Sequence, residues 1–166
     1  MVVGGAALSP DLHALIKAAL DITLVQGYGA TETFGAVLCM DDYDMSRGRC
    51  GPPLKDIQIR LEDWEDGGYR ATDKPNPRGE LVVGGHGVAS GYFNNEILTR
   101  EAFIADPTGI GWFRTGDIGE VFPDGTFKII DRKKDLIKLA NGEYFSLGKV
   151  CFFNGKFLKF QILRKT

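Results

Sequence analysis

No stretch of the sequence approaches the roughly 18 apolar residues that a membrane-spanning helix needs, so none is expected to cross a bilayer. Met1-Val2-Val3-Gly4-Gly5 lacks a charged leader ahead of an apolar run, and the expectation is a chain without a signal peptide. Basic charge is not in excess. The formal charge is −2, which argues against a nucleic-acid partner. Cysteine is sparse and odd in number. Cys39, Cys50 and Cys151 show neither paired nor metal-ligand spacing, which points to free thiols in a reducing compartment. Histidine is rarer still: His13 falls on a predicted helix with no ligand partner in sequence, and His86 lies in a glycine-rich turn with no assigned role. Internal repeats are absent.

Glycine, by contrast, is abundant. The 22 glycines are roughly double the usual share, which favours turns, hairpins and ligand loops over a helical bundle. Val2-Val3 reads as the end of a buried strand. Ser9 is placed to cap a helix whose first position is Pro10, with Leu12, Leu15, Ile16 and Ala19 at helical spacing. Asp21 ends that helix, and Ile22–Val25 predicts a strand leading into Gln26. Strand, helix and strand in 25 residues make a βαβ unit of a parallel sheet, with ligands expected off the carboxyl ends of its strands.

From about Arg47 the pattern changes to short strands: Ile57–Leu61, Glu80–Val83, and two runs flanking Asp124-Gly125. Asn141-Gly142 predicts a further hairpin. The second region is therefore expected to be mostly antiparallel, as a small barrel or sandwich. Residues 62–77 read as an acidic surface loop. Asp131–Asp135 is a charge run that reads as a solvated connector or a boundary. The last residues, from Cys151, hold Lys156, Lys159, Arg164 and Lys165 with no acid, unlike everything before them.

Gln26-Gly27-Tyr28-Gly29-Ala30-Thr31-Glu32-Thr33 is the stretch richest in chemistry. Tyr28 can lie flat against a base, while Gly27 and Gly29 let backbone approach a ligand. Thr31 can donate to a phosphate oxygen, and Glu32 offers the hard oxygen that Mg²⁺ prefers. Blander readings stand beside these. Tyr28 could be ordinary packing at a strand end, Thr31 and Glu32 a capping pattern ahead of Phe34 and Val37, and Asp117 a turn cap after Gly116. The Asp41-Asp42-Tyr43-Asp44 cluster reads better as a hydrated loop than as a cation site.

Five ordered motifs shift the balance. Gly4-Gly5-Ala6, Tyr28–Glu32, Gly79–Gly85 with Gly91-Tyr92, Phe113-Arg114-Thr115-Gly116-Asp117 and Asp131-Arg132-Lys133-Lys134-Asp135 together resemble the adenylate-forming (AMP-binding) enzymes. Thr115–Gly119, Ile129–Leu139 and Gly142–Val150 resemble the long-chain acyl-CoA synthetases within that superfamily. Trp64, Tyr69 and Asp73–Glu80 are similar to a branch preferring polyunsaturated chains. The resemblance implies an α/β plus β fold: residues 1–46 ending an AMP-binding subdomain, 47–130 a β-barrel subdomain, 131–135 a hinge, 136–150 the start of a lid, and 151–166 a divergent tail. It implies a ligase that uses ATP and Mg²⁺ to activate a long-chain fatty acid as acyl-AMP, then passes the acyl group to CoA.

By that resemblance, Gly5 and Ala6 form the adenine shelf opposite Tyr28 and Gly29, and Thr31 holds the α-phosphate. Glu32 carries Mg²⁺, Asp117 accepts from the ribose hydroxyls, and Arg132 contacts ribose or phosphate. Lys134 marks the hinge. No segment resembles the family's Ser-, Thr- and Gly-rich phosphate loop or the lid that carries the adenylation lysine, so the 166-residue chain is expected to be inactive. By the same resemblance, membrane association belongs to the full-length protein, at the cytosolic face of the endoplasmic reticulum or another organelle. A non-catalytic AMP-binding or partner-competing fragment, or part of a peptide-synthetase or luciferase-like enzyme, is the alternative.

Overall fold

The computed structural model describes residues 1–6, 8–138 and 144–146. Cys151, the basic tail and the Asn141-Gly142 turn lie outside the described residues. The first unit follows the sequence closely. β1 (Val2–Val3), α1 (Pro10–Leu20) and β2 (Val25–Ala30) form the βαβ, with Val2 opposite Val25 and Val3 opposite Gln26 in parallel. Ser9 Oγ accepts from Leu12 N at 3.2 Å, and Pro10 occupies the first turn, where no N–H is needed. Asp21 closes α1 in the left-handed region (φ 49°). His13 on α1 is fully buried: Nε2 lies 3.2 Å from the Leu24 carbonyl and Nδ1 3.5 Å from Gly48 N, which a neutral ring protonated on Nε2 satisfies. It is a packing group that ties the helix to the strand entry.

β2 itself departs from the expectation of a strand ending at Val25. It begins there and takes in the whole Gln-Gly-Tyr-Gly-Ala run. The cause is β3 (Gly35–Cys39), which folds back antiparallel and gives this backbone a ladder, pairing Tyr28 with Leu38 and Gly29 with Ala36 across a bulge. Gly29 is required by that close approach, since a Cβ there would lie 1.9 Å from the Gly35 carbonyl oxygen. Thr31–Thr33 is a single 3₁₀ turn inside the hairpin, not the first turn of a helix. The Thr33 hydroxyl fixes it, accepting from Ala30 N at 3.1 Å.

The second region is antiparallel as expected, but it is an open sheet rather than a closed barrel among the described residues. Its elements are β4 (Gln58–Glu62), β5 (Arg78–Gly84), α2 (Glu96–Ala102), β6 (Phe103–Ala105), β7 (Gly111–Val121) and β8 (Phe127–Arg132). The order is β4-β5-β7, with β6 on the first part of the far edge of β7 and β8 on the last part. Asp124-Gly125 turns β7 into β8, and Gly125 has φ 80°. α2, capped by Asn95 Oδ1 accepting from Leu98 N at 3.1 Å, is a helix that the sequence reading did not assign. β9 (Leu136–Lys138) and β10 (Tyr144–Ser146) pair antiparallel, with Lys138 opposite Tyr144. Tyr144 meets Trp64 edge-on at 5.5 Å.

Residues 50–53 stitch the two sheets together. Cys50 N donates to Phe127 O at 2.7 Å and Phe127 N to Gly51 O at 2.9 Å, while Cys39 N reaches Pro52 O at 3.3 Å. A shared core fills the space between: Val37 and Leu38 from β3, Cys50, Leu81 and Val83 from β5, and Phe127. Burial raises the pKa of the Cys50 thiol, so it behaves as a small apolar group. Cys39 and Cys50 are both free thiols. Leu81 has no exposed surface and sits at the centre of this core. Leu81→Ala is expected to lower stability by about 3 kcal/mol in urea denaturation, since it removes a fully buried side chain and leaves a cavity.

Candidate nucleotide-binding site

A cleft of about 440 Å³ opens at the carboxyl ends of β1 and β2, lined by Gly4, Gly5, Tyr28, Gly29, Ala30 and Thr31 among others. It lies where ligands collect in parallel α/β sheets. Gly5 has φ 82°, a conformation that favours glycine, and nothing lies within 4 Å of where its Cβ would be. Its backbone therefore faces open space. Ala6 is exposed beside it. The Thr31 side chain is exposed at the rim, and its hydroxyl has no partner among the described residues. The structure thus gathers Gly5, Tyr28, Gly29 and Thr31 around one opening.

Asp117 meets Tyr28 from the other sheet. Its Oδ2 accepts from Tyr28 OH at 2.6 Å, and its Oδ1 from Arg132 Nε at 2.9 Å. A bulge in β7 aims it there. Val82 pairs with Arg114 and Glu80 with Ile118, so Leu81 stands opposite the longer run Thr115–Asp117. Gly116 takes φ 72° in that bulge. Thr115 Oγ1 donates to the Leu81 carbonyl at 2.9 Å and accepts from Asp117 N at 3.1 Å. Asp117 is therefore no simple turn cap. Burial first, and then the adjacent Asp117 carboxylate, pushes the Tyr28 phenol far above its ordinary pKa.

Glu80 has no role in the sequence reading, yet it holds this bulge. Its carboxylate is buried, accepts from Gly116 N at 3.0 Å and forms an ion pair with Lys133. The run Asp131–Asp135 is accordingly not a solvated connector throughout. Asp131 is buried and accepts from Tyr69 OH at 2.6 Å, Arg132 holds Asp117, and Lys133 holds Glu80. Lys134 is exposed in the 3₁₀ turn Lys133–Asp135 and stands outside that network. Asp41 and Asp44 accept from Tyr43 N and Ser46 N, two residues on, and so shape their own loop.

Glu32 follows Thr31 and is half-buried. Its Oε1 accepts from Tyr92 OH at 2.7 Å and its carbonyl from Ala89 N at 2.8 Å. No group of three or more His, Cys, Asp or Glu that could cage a metal exists among the described residues. A lone carboxylate still fits Mg²⁺, which is commonly held by one or two carboxylates together with substrate phosphates and water.

The cleft at the end of the α/β unit, with the rim hydroxyl of Thr31 and the Asp117 carboxylate hydrogen-bonded to Tyr28, is the candidate site. The chain belongs to the AMP-binding enzyme family, whose model matches residues 1–93. It is 52% identical over 150 residues to long chain acyl-CoA synthetase 8 of Arabidopsis thaliana, covering 90% of this chain and 21% of that protein. The chain thus spans about a fifth of the length of that relative. Among solved structures, it is similar to the A domain of a carboxylic acid reductase from Segniliparus rugosus in complex with AMP and a carboxylic acid. There the TM-score is 0.71 and the identity 35%, over 90% of this chain and 22% of that one. It is also similar to O-succinylbenzoate coenzyme A synthetase from Bacillus subtilis in complex with ATP and magnesium ion. That match has a TM-score of 0.69 and 27% identity, over 90% of this chain and 29% of that one.

Tyr28 keeps its proton in the folded chain to a pH at which the unfolded chain has lost it. Its contribution to stability is therefore complete below about pH 10 and declines as pH rises beyond it. In denaturation between pH 9 and 11 (roughly the range around the ordinary phenol value), Tyr28→Phe is expected to make the alkaline fall shallower than in the unmodified chain. An unchanged slope would place the phenol in an ordinary solvated setting.

Proposed function

We propose that this chain is the nucleotide-holding segment of a long-chain fatty acid–CoA ligase. Such an enzyme condenses a fatty acid with ATP to acyl-AMP and pyrophosphate, then transfers the acyl group to the thiol of CoA with release of AMP. The observation that carries this reading is the Tyr28–Asp117–Arg132 chain, which ties the Tyr28 that lines the cleft with Gly5 to a carboxylate and a guanidinium of the other sheet. The 52% identity to a long chain acyl-CoA synthetase supports the same substrate class.

In this reading the base lies between the Gly5-Ala6 backbone and the Tyr28 ring, with Gly29 leaving room at its edge. Asp117 spends one lone pair on Tyr28 and one on Arg132. An ionised carboxylate has about four acceptor sites, so it can still accept from both ribose hydroxyls. The Thr31 hydroxyl donates to the α-phosphate. Glu32 offers Mg²⁺ an oxygen, and bound Mg²⁺ would spread phosphate charge as the carboxylate attacks phosphorus. Arg132 adds positive charge beside the ribose. No side chain acts as nucleophile; the segment positions the reactants and neutralises charge.

Residues 131–135 are the hinge in this reading. Rotation at exposed Lys134 would swing the segment beyond it between the two half-reactions, while Asp131, Arg132 and Lys133 stay anchored on the body. Residues 1–46 and 47–130 then supply the two walls of the nucleotide site. Membrane association belongs to the full-length enzyme, and no described helix is long and apolar enough to cross a bilayer.

The test exchanges the aligned 150-residue segment into the full-length Arabidopsis relative and measures pyrophosphate release. Release is expected with long-chain fatty acids and not with amino acids or aromatic acids. Asp117→Ala is expected to raise the KM for ATP about tenfold or more by removing a charged hydrogen-bond acceptor. The separate 166-residue chain is expected to form no acyl-CoA; robust turnover by it would refute the assignment of roles.

A further inference from the structure

Tyr92 follows Gly91 in the loop before α2, in the region of the open antiparallel sheet. The structure gives it one partner of consequence. Its hydroxyl donates to Glu32 Oε1 at 2.7 Å across 60 residues of sequence. The same loop grips the same residue a second time, since Ala89 N donates to the Glu32 carbonyl at 2.8 Å. Glu32 is therefore held at both backbone and side chain by residues 89–92. We propose that Tyr92 is a positioning residue for metal-assisted adenylation, holding the Glu32 carboxylate in the one orientation that meets the metal–nucleotide complex. This rests on the reading of Glu32 as the Mg²⁺ carboxylate.

Tyr92 is itself well fixed. Its backbone N–H donates to Thr99 Oγ1 at 2.9 Å, and that hydroxyl donates to the Asn95 carbonyl at 2.8 Å, docking the tyrosine on the first turn of α2. The ring meets Phe103 edge-on at 5.3 Å, and Phe103 rests on Phe113 at 5.1 Å. Gly91 takes φ 151°, and a Cβ there would lie 2.5 Å from Thr99 Cγ2. Close packing of the loop on α2 therefore requires glycine at that position.

A glutamate has three side-chain torsions and, half-exposed at a turn, would sample many rotamers. The bond to Tyr92 selects one and leaves Oε2 for a cation. It engages a single oxygen, so the carboxylate keeps its charge and its second acceptor. Phenylalanine would preserve the ring packing and delete only this bond. The loss should therefore appear in the metal requirement and spare the acid site.

The test uses the full-length ligase carrying this segment, with pyrophosphate release followed against free Mg²⁺. Tyr92→Phe is expected to raise the Mg²⁺ concentration for half-maximal rate by about tenfold, the usual worth of a hydrogen bond to a charged group. The KM for fatty acid should be unchanged. In a Glu32→Gln background, Tyr92→Phe should add nothing. An unaltered Mg²⁺ requirement in Tyr92→Phe, with a large change in Glu32→Gln, overturns the role of Tyr92 while leaving Glu32 as the metal residue. An equal loss in both backgrounds marks Tyr92 as merely structural and also overturns it. An unaltered requirement in Glu32→Gln overturns both readings. Should Tyr92→Phe fail to accumulate, Glu32→Asp keeps the carboxylate but shortens it out of reach of the Tyr92 hydroxyl. The Mg²⁺ requirement is expected to rise about tenfold there as well, and an unaltered requirement overturns the proposal.

Discussion

The hydrogen bond from Tyr28 to Asp117 is the contact on which the arrangement of the site depends. It joins β2 of the parallel unit to β7 of the antiparallel sheet, across 89 residues of chain. A phenol donating to an ionised carboxylate is among the stronger protein hydrogen bonds, and partial burial lowers competition from water. It also sets directions. Tyr28 lines the cleft while its hydroxyl is committed to Asp117. Without it the two units would still be joined at residues 50–53 and by the grip of residues 89–92 on Glu32, but Tyr28 would lose its link to β7.

Much of the local architecture exists to place the Asp117 end of that bond. The β7 bulge takes Asp117 out of register with β5 while it still pairs with Arg132 of β8, Gly116 supplies the backbone conformation, and buried Glu80 receives the Gly116 N–H. Glu80 would be costly to bury alone. Lys133 neutralises it, and this is one of three anchors that pin the charge run to the body. The anchors at Asp131, Arg132 and Lys133 end just before Lys134, where the side chain is exposed. An anchored segment followed at once by an exposed position is consistent with the hinge proposed at Lys134. Glu32 is likewise held, by Tyr92 at its side chain and Ala89 at its carbonyl.

Local signals were legible where the physics is local. Ser9 and Pro10 opened α1, Asp21 closed it, and Asp124-Gly125 made its hairpin, because capping and turn preferences act over a few residues. The motif Gly27–Glu32 was legible as chemistry but not as a strand. Its two glycines disfavour β structure, and only the return of β3 supplies the ladder that overrides this. The β7 bulge and the anchoring of Asp131 and Lys133 depend on partners 36 to 62 residues away. No short window of sequence contains such pairs. α2 escaped notice because seven residues are too few to show a periodic face, although Asn95 followed by Glu96 is a reasonable start signal.

The central claim is that one nucleotide bridges the two sheets, with its base between Gly5 and Tyr28 and its ribose on Asp117. Titration of the isotopically labelled chain with AMP, followed residue by residue in NMR spectra, tests this most directly. The account predicts saturable shifts that centre on Gly5, Tyr28, Gly29, Thr31 and Asp117 together, and that are lost in Asp117→Ala. Saturable binding whose shifts fall elsewhere, or shifts on one sheet that survive Asp117→Ala, would contradict it.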